Sequence, residues 1–172
     1  MSISRQNLTL VIVTLKSQKV IDQCIKSIDQ DIPIIVVENS NDQNFKKDLE
    51  SKYNNVRCIL SKSNLGMGAG NNIGIKESKT DFVFILNPDV TLEKDTLSEI
   101  FLASKEISNF SIAAPIEKKF TNYKISDNKI VKNKDLPFEV KSVDGFAMLL
   151  NKKKLGDDIY FDENFFMYLE NN

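Results

Sequence analysis

Residues 63–74 read SNLGMGAGNNIG, and four of the six glycines in the 172-residue chain fall within them, beside three asparagines. Glycines gathered this closely let a backbone approach another group. Two phosphate-binding patterns are excluded at once. A Rossmann fingerprint joins the first strand to the first helix and is followed about 20 residues later by an acid. Here the first apolar run, LTLVIVTL at 8–15, leads into TLKSQK without a glycine, and Glu38 precedes the glycines instead of following them. A Walker loop needs Gly-Lys-Ser/Thr, which the chain lacks. The glycines by themselves predict a tight strand-to-helix turn. The asparagines among them, each carrying donor and acceptor, suit a diphosphate or a sugar at a helix start.

Working outward, the stretch sits inside a strand–helix alternation. The β-branched run 8–15 predicts a buried strand. Val20, Ile21, Cys24, Ile25 and Ile28 then share one face of a helix. IPIIVVENS at 32–40 predicts a second buried strand, and Phe45, Leu49 and Tyr53 a helix over 44–53. NVRCIL alternates as a short strand, the glycine loop leads into a helix at NNIGIKES, and DFVFILNPDV is a strand stopped by Pro88. A helix over EKDTLSEIFLASKEI, with Leu97, Ile100, Phe101, Ser104 and Ile107 on one face, and a strand at FSIAAP complete the alternation. This order predicts a mostly parallel sheet covered on both faces. Beyond about residue 115 the pattern changes. YKISDNKIVKN reads as a loop or small hairpin, VKSVDGFAMLLNKKKL as a strand entering a short helix, and IYFDENFFMYLENN is aromatic-rich. The chain stops at Asn172 without helix-terminating signals, as a truncated chain would.

Composition narrows the chemistry. A net charge of −1 gives no field to draw in nucleic acid. The lysines at Lys118–Lys119 and Lys152–Lys154 read as solvated surface, with a peripheral contact to anionic lipid as the lesser reading. Cys24 and Cys58 lack metal spacing and predict free thiols in a reducing compartment. With no histidine, nucleophile–His pairs and His-based metal sites are excluded, and acid–base work falls to carboxylates. The N-terminal apolar run is too short for a signal peptide and no run is long enough to span a membrane, so a cytoplasmic protein is expected.

Three segments follow one another: VVENSND, ending a strand at Glu38; NLGMGAGNNIGI; and FVFILNPDV, ending a strand at Asn87-Pro88-Asp89. In an open α/β sheet, ligands bind at the carboxyl ends of strands. The combination of NLGMGAGNNIGI with FILNPDV, and later of VDGFAMLLNKKKL with FDENFFMYLEN, resembles glycosyltransferase family 2, and most of all its bacterial rhamnosyltransferase-type members. The resemblance runs from about residue 8 to the last residue. It implies an α/β fold of the GT-A type, with a Rossmann-like, mostly parallel sheet, helices on both faces and a small acceptor-side β/loop segment. It also implies one catalytic domain over 1–172, in which 1–115 bind the nucleotide sugar and 116–172 form an acceptor-side half, incomplete at its C-terminus.

The resemblance implies roles for single residues. Thr14 lies beside the nucleotide. Glu38 stands where the family has an acid reading the base. Asn64, Gly66, Gly70 and Asn71 line the sugar-nucleotide pocket. Asn87 and Asp89 occupy the DxD motif, with Asp89 the metal ligand and an amide in place of the first carboxylate. One carboxylate suffices for Mg2+ or Mn2+, because Mg2+ often takes only one or two and leaves the rest to phosphates and water. The base is Glu170, where ENN stands for the family's ED, with Asp144 the alternative and a carboxylate beyond the chain's end a third. The implied reaction is inverting transfer of a sugar from a UDP- or dTDP-sugar, dTDP-rhamnose among them, to a saccharide or lipid-linked acceptor in surface polysaccharide synthesis. Two other readings stand beside it. A nucleotidyltransferase would need a basic first loop, for which only Lys16 is at hand. A non-catalytic sugar-nucleotide-binding module or inactive fragment fits Asn87 and the ending at Asn172.

Overall fold

Seven consecutive buried residues, LTLVIVT, make β1 (Leu8–Thr14) the centre of the molecule. In the computed structural model, which describes residues 2–107, 109–115, 122–126, 129–132, 137, 139–140, 142–156 and 160–164, it is followed by α1 (Ile21–Lys26), β2 (Ile34–Glu38), α2 (Gln43–Lys52), β3 (Val56–Leu60), α3 (Gly66–Glu77), β4 (Phe82–Leu86) and α4 (Thr96–Glu106). β5 (Ile112–Ala113), the antiparallel pair β6 (Asn122–Ser126) and β7 (Lys129–Lys132), β8 (Ala147–Asn151) and α5 (Lys152–Leu155) complete the order. The main sheet has six strands in the order β3-β2-β1-β4-β8-β5. β1 pairs in parallel with β2 and with β4, and β2 with β3. β8 runs antiparallel between β4 and β5. The expected mostly parallel α/β sheet is therefore present, and the lysine-rich stretch after 115 holds the hairpin.

Alternating strand residues feed two cores. On one face Leu10, Ile12, Val36 and Phe84 meet Ile21, Cys24 and Ile25 of α1, Phe45 and Leu49 of α2, and Leu97 of α4. On the other, Val11, Val13, Val37, Ile85 and Met148 meet Ile75 of α3 and Phe161. Helices thus cover both faces, which is why β1, β2, β4 and β8 are buried along their whole length. Two details depart from the sequence reading. Val20 does not join the buried face of α1: it stands at the helix's N-cap, 39 % exposed. And Ile107, expected on the α4 face, lies past the end of that helix, 36 % exposed.

The larger departure concerns the glycines. They are not a loop before a helix but the first turns of the helix itself, since α3 begins at Gly66. Glycine disfavours helix by about 1 kcal/mol per residue relative to alanine, so packing must hold α3 in place. A Cβ on Gly74 would lie 2.3 Å from Val11 Cγ1, and one on Gly70 2.7 Å from Val13 Cγ1. What approaches the glycine face is strand β1.

Both cysteines are free and buried. Burial pushes the Cys24 thiol up to about 12, with the Asp89 charge reinforcing it, and burial likewise pushes Cys58 up to about 12. A thiol whose folded pKa lies above its unfolded value keeps its proton in the native state while the unfolded chain loses it. Stability is then intact below about pH 9 and falls as pH rises towards 12. Denaturant titrations at pH 8, 9 and 10 are expected to show a declining midpoint above pH 9, with neither thiol alkylated in the folded protein.

Candidate functional site

The strand order places the site. From β1 the chain builds outward on one side through β2 and β3, and on the other through β4, so the order reverses between β1 and β4. Such a switch point opens a crevice beyond the carboxyl ends of its strands. Thr14 ends β1 opposite Glu38, which ends β2. Leu86 pairs with Ile12, so Asn87 follows directly at the same edge. β8 runs the other way, and its entry brings Phe146 there too: the Asn87 N–H donates to the Phe146 carbonyl at 2.9 Å. Asp144, two residues before Phe146, is exposed at this rim.

Buried polar atoms left without a partner lie on three residues of this edge and on α3 beside Gly70, which packs against Val13. Among the described residues, four buried side-chain oxygens accept no hydrogen bond: Thr14 Oγ1, Asn39 Oδ1, Asn71 Oδ1 and Asn87 Oδ1. Leaving such a group unsatisfied costs about 1–3 kcal/mol. Three of the four belong to residues that the sequence singles out. Asn39 does not; its N–H donates to the Thr14 carbonyl at 2.8 Å and its Nδ2 to the Gly66 carbonyl at 3.0 Å. The Asn39 side chain therefore ties the end of β2 to the start of α3 and keeps its own oxygen free. A strand-end asparagine beside an acid was the only sequence signal for it.

The start of α3 is built locally. Asn64, exposed, accepts at Oδ1 from the Gly66 N–H at 3.1 Å, and Gly66 has φ 83°, which suits glycine. Gly70 faces Val13 and Asn39, so it serves the closeness of α3 to β1 and β2 rather than the rim directly. Lys16, in the β1–α1 loop just after Thr14, is a non-glycine residue at φ 55°, an uncommon conformation for a long side chain.

Glu38 ends β2 and is wholly buried. Its carboxylate is 0 % exposed and accepts from the Ser40 N–H at 3.0 Å to each oxygen, from Ser40 Oγ at 2.6 Å and from the Asp42 N–H at 2.9 Å. Asp42 in turn caps α2, accepting from the Asn44 and Phe45 N–H groups at 3.0 Å. The carboxylate is thus spent on the loop from 38 to 42, which holds Asn41 at φ 58°.

The loop after β4 is fixed from α1. The Asn87 carbonyl accepts from the Val90 N–H at 3.1 Å and faces Cys24 Sγ at 3.7 Å. Ser27 Oγ donates to the Cys24 carbonyl at 2.7 Å and accepts from the Leu92 N–H at 3.0 Å. Asp89 lies between these anchors and is exposed. Among the described residues no three His, Cys, Asp or Glu side chains cluster as a metal cage. Asp89 with the orphaned Asn87 amide oxygen nonetheless suits Mg2+ or Mn2+, hard ions that accept carbonyl oxygens and need few carboxylates when phosphates are present. The residues fit such an ion.

Glu170 and Asn171, like Phe165, Phe166 and Tyr168, lie outside the described residues, as do Lys118 and Lys119. Lys152 donates from Nζ to the Ile75 and Ser78 carbonyls at 3.3 and 2.8 Å, tying α5 to the end of α3, and Lys153 pairs with Asp81, just before β4, at 2.8 Å. No helix among the described residues is long and apolar enough to cross a membrane.

Comparison with known proteins agrees with this geometry. The chain is 25 % identical over 183 residues to the low-salt glycan biosynthesis hexosyltransferase Agl10 of Haloferax volcanii, and spans 95 % of itself and 59 % of that relative's length. Its fold is similar to S. aureus TarS 1–349 in complex with UDP, at a TM-score of 0.68 and 16 % identity, over 96 % of this chain and 52 % of that one. It is also similar to the mannosyltransferase PcManGT of Pyrobaculum calidifontis in complex with GDP-Man and Mn2+, at a TM-score of 0.60 and 12 % identity, over 92 % and 48 %. These likenesses place the sheet among GT-A folds. Residues 9–163 match the family model Glycosyl transferase family 2, and the chain belongs to that family.

Proposed function

We propose that the chain transfers a sugar from a nucleoside-diphosphate sugar to a hydroxyl acceptor, with inversion at the anomeric carbon. The observation that carries this reading is the set of four unpartnered buried oxygens, three on residues at the ends of β1, β2 and β4 and one on α3. Amide oxygens accept and do not donate, so they suit the hydroxyls of a ribose or sugar and the N–H of a base. The three amide oxygens do not suit phosphate oxygens, which only accept, whereas the Thr14 hydroxyl can also donate. Thr14, Asn39 and Asn71 would take those hydroxyl and N–H groups, while Asn87 and Asp89 would hold Mg2+ or Mn2+. When bound, the ion supplies positive charge against the departing diphosphate.

The chain's own residues do the rest. The 38–42 loop, braced by Glu38, fixes Asn39. The α1 anchors Cys24 and Ser27 fix the height of Asp89. The acceptor oxygen bonds to the anomeric carbon as the bond to the diphosphate breaks, and its proton passes to a carboxylate. Glu170 is the proposed base and Asp144, at the rim, its alternative; such a base is typically worth about 10²–10⁴-fold. Donors proposed are UDP- and dTDP-sugars, dTDP-rhamnose included, with a saccharide or lipid-linked acceptor of surface polysaccharide synthesis, on the cytoplasmic side of the membrane. The Asn87 amide favours a second reading, a module that binds the donor without turning it over.

Calorimetric titration with UDP, dTDP and GDP, with and without Mn2+, tests this. One nucleoside diphosphate is expected to bind more tightly with the metal, and its sugar to be slowly hydrolysed. Binding without turnover selects the module, and no binding of any of the three overturns the site.

A further inference from the structure

Helix α3 carries two adjacent asparagines with different surroundings. Asn71 keeps a buried oxygen without a partner. Asn72, 1 % exposed, is fully engaged. Its Nδ2 donates to the Phe161 carbonyl at 2.9 Å and to Glu163 Oε1 at 2.8 Å, and its Oδ1 accepts from the Phe161 N–H at 3.0 Å. A side chain here reproduces the two-way pairing of a strand ladder, across 89 residues of sequence. Phe161 is itself buried, packed in the α3-side core with Val11, Val13 and Met148. Burial alone would hold that ring. The carboxamide adds a fixed register, because only one height of the 160–164 segment satisfies donor and acceptor together.

We infer that Asn72 is a positioning residue for sugar transfer. It sets the segment through Phe161 and Glu163 at one height along the helix whose neighbouring residue, Asn71, borders the proposed donor. The inference rests on the donor-site reading above. It assigns to Asn72 a part in the geometry between donor and acceptor, and none in holding the donor.

The test uses N72D and N72D/E163Q in the full chain. Aspartate keeps the volume and the acceptor for the Phe161 N–H. It replaces the donor towards the Phe161 carbonyl and Glu163 with a negative oxygen. The amide that E163Q introduces can donate back to that oxygen. The readouts are the Kd for UDP or dTDP with Mn2+, the hydrolysis rate of the sugar nucleotide that the wild type turns over fastest, and hydrogen exchange at the Phe161 amide. A misplaced reacting geometry of about 1 Å can cost on the order of 100-fold. N72D is expected to lose roughly 10–100-fold in turnover, with nucleotide affinity unchanged within about twofold and faster exchange at Phe161. The double variant is expected to regain a good part of the rate, and E163Q alone to match the wild type. Wild-type turnover in N72D overturns the inference, as does a parallel fall of affinity and turnover that E163Q does not rescue. Wild-type protein that binds no nucleoside diphosphate instead overturns the donor site itself, and is seen before any variant is compared.

Discussion

Replacing Asp89 by asparagine is expected to reduce turnover on the order of 10²–10³-fold, the scale of losing one electrostatic contact to a departing oxyanion, while leaving the melting temperature unchanged. The two halves of that expectation come from different facts. Asp89 is exposed between the anchored residues Asn87 and Leu92, and its neighbours, not its carboxylate, hold the loop. With Asn87 already an amide, the variant would leave the rim of β4 with two neutral oxygens for a divalent ion. Binding of Mn2+ in the presence of nucleotide, followed by electron paramagnetic resonance, should weaken in step with turnover. Full turnover in D89N would remove the carboxylate from the mechanism. A collapse of the fold would mean that it has a structural partner.

The second large effect concerns stability. Gly74→Ala introduces a methyl 2.3 Å from Val11 Cγ1. Val11 is fully buried and β-branched, so it has no flexible end with which to yield. Overpacking of this kind costs about 1–3 kcal/mol, against a helix-propensity gain of about 1 kcal/mol. The net loss is up to about 2 kcal/mol, a fall in melting temperature of up to roughly 8 °C for a domain of this size. Val11→Ala alone should also destabilise, by removing buried methyls. The pair G74A/V11A should be more stable than the sum of its parts, because the new methyl fills the space the valine gives up. Thermal melts of the three variants decide the matter. Additive losses would mean that α3 can shift away from β1.

Why some of this was legible in the sequence, and some not, follows from the range of the contacts. The central strands could be read because they are buried on both faces, as in LTLVIVT and FVFIL, and only a sheet covered on both sides needs that. The ligand edge could be read because Thr14, Asn87 and Asp89 end strands or follow them directly. The glycines were harder. A local rule puts them in a loop, whereas the contact that fixes them, Gly74 against Val11, spans 63 residues and overrides propensity. Glu38 shows the opposite case, a side chain whose partners are local but whose direction is not written in its letters. Residue type marks it as a ligand reader, but its hydrogen bonds close on its own loop within four residues, and nothing in the letters E-N-S-N-D says which way the carboxylate turns. Asn39 and Asn72 were passed over because their partners lie 27 and 89 residues away.

The insertion of β8 between β4 and β5 has a consequence for biosynthesis. A ribosome delivers the chain from its N-terminus, and β1 to β4 can pair as they emerge. Until residue 151 has left the exit tunnel, however, β4 presents a bare apolar edge of FVFIL, and β5 has no neighbour to join. Such an edge invites pairing with another nascent chain. The rim that carries Asn87 takes its final form only when Phe146 arrives, so synthesis of β8, rather than of the glycine-bearing helix, times the completion of this edge.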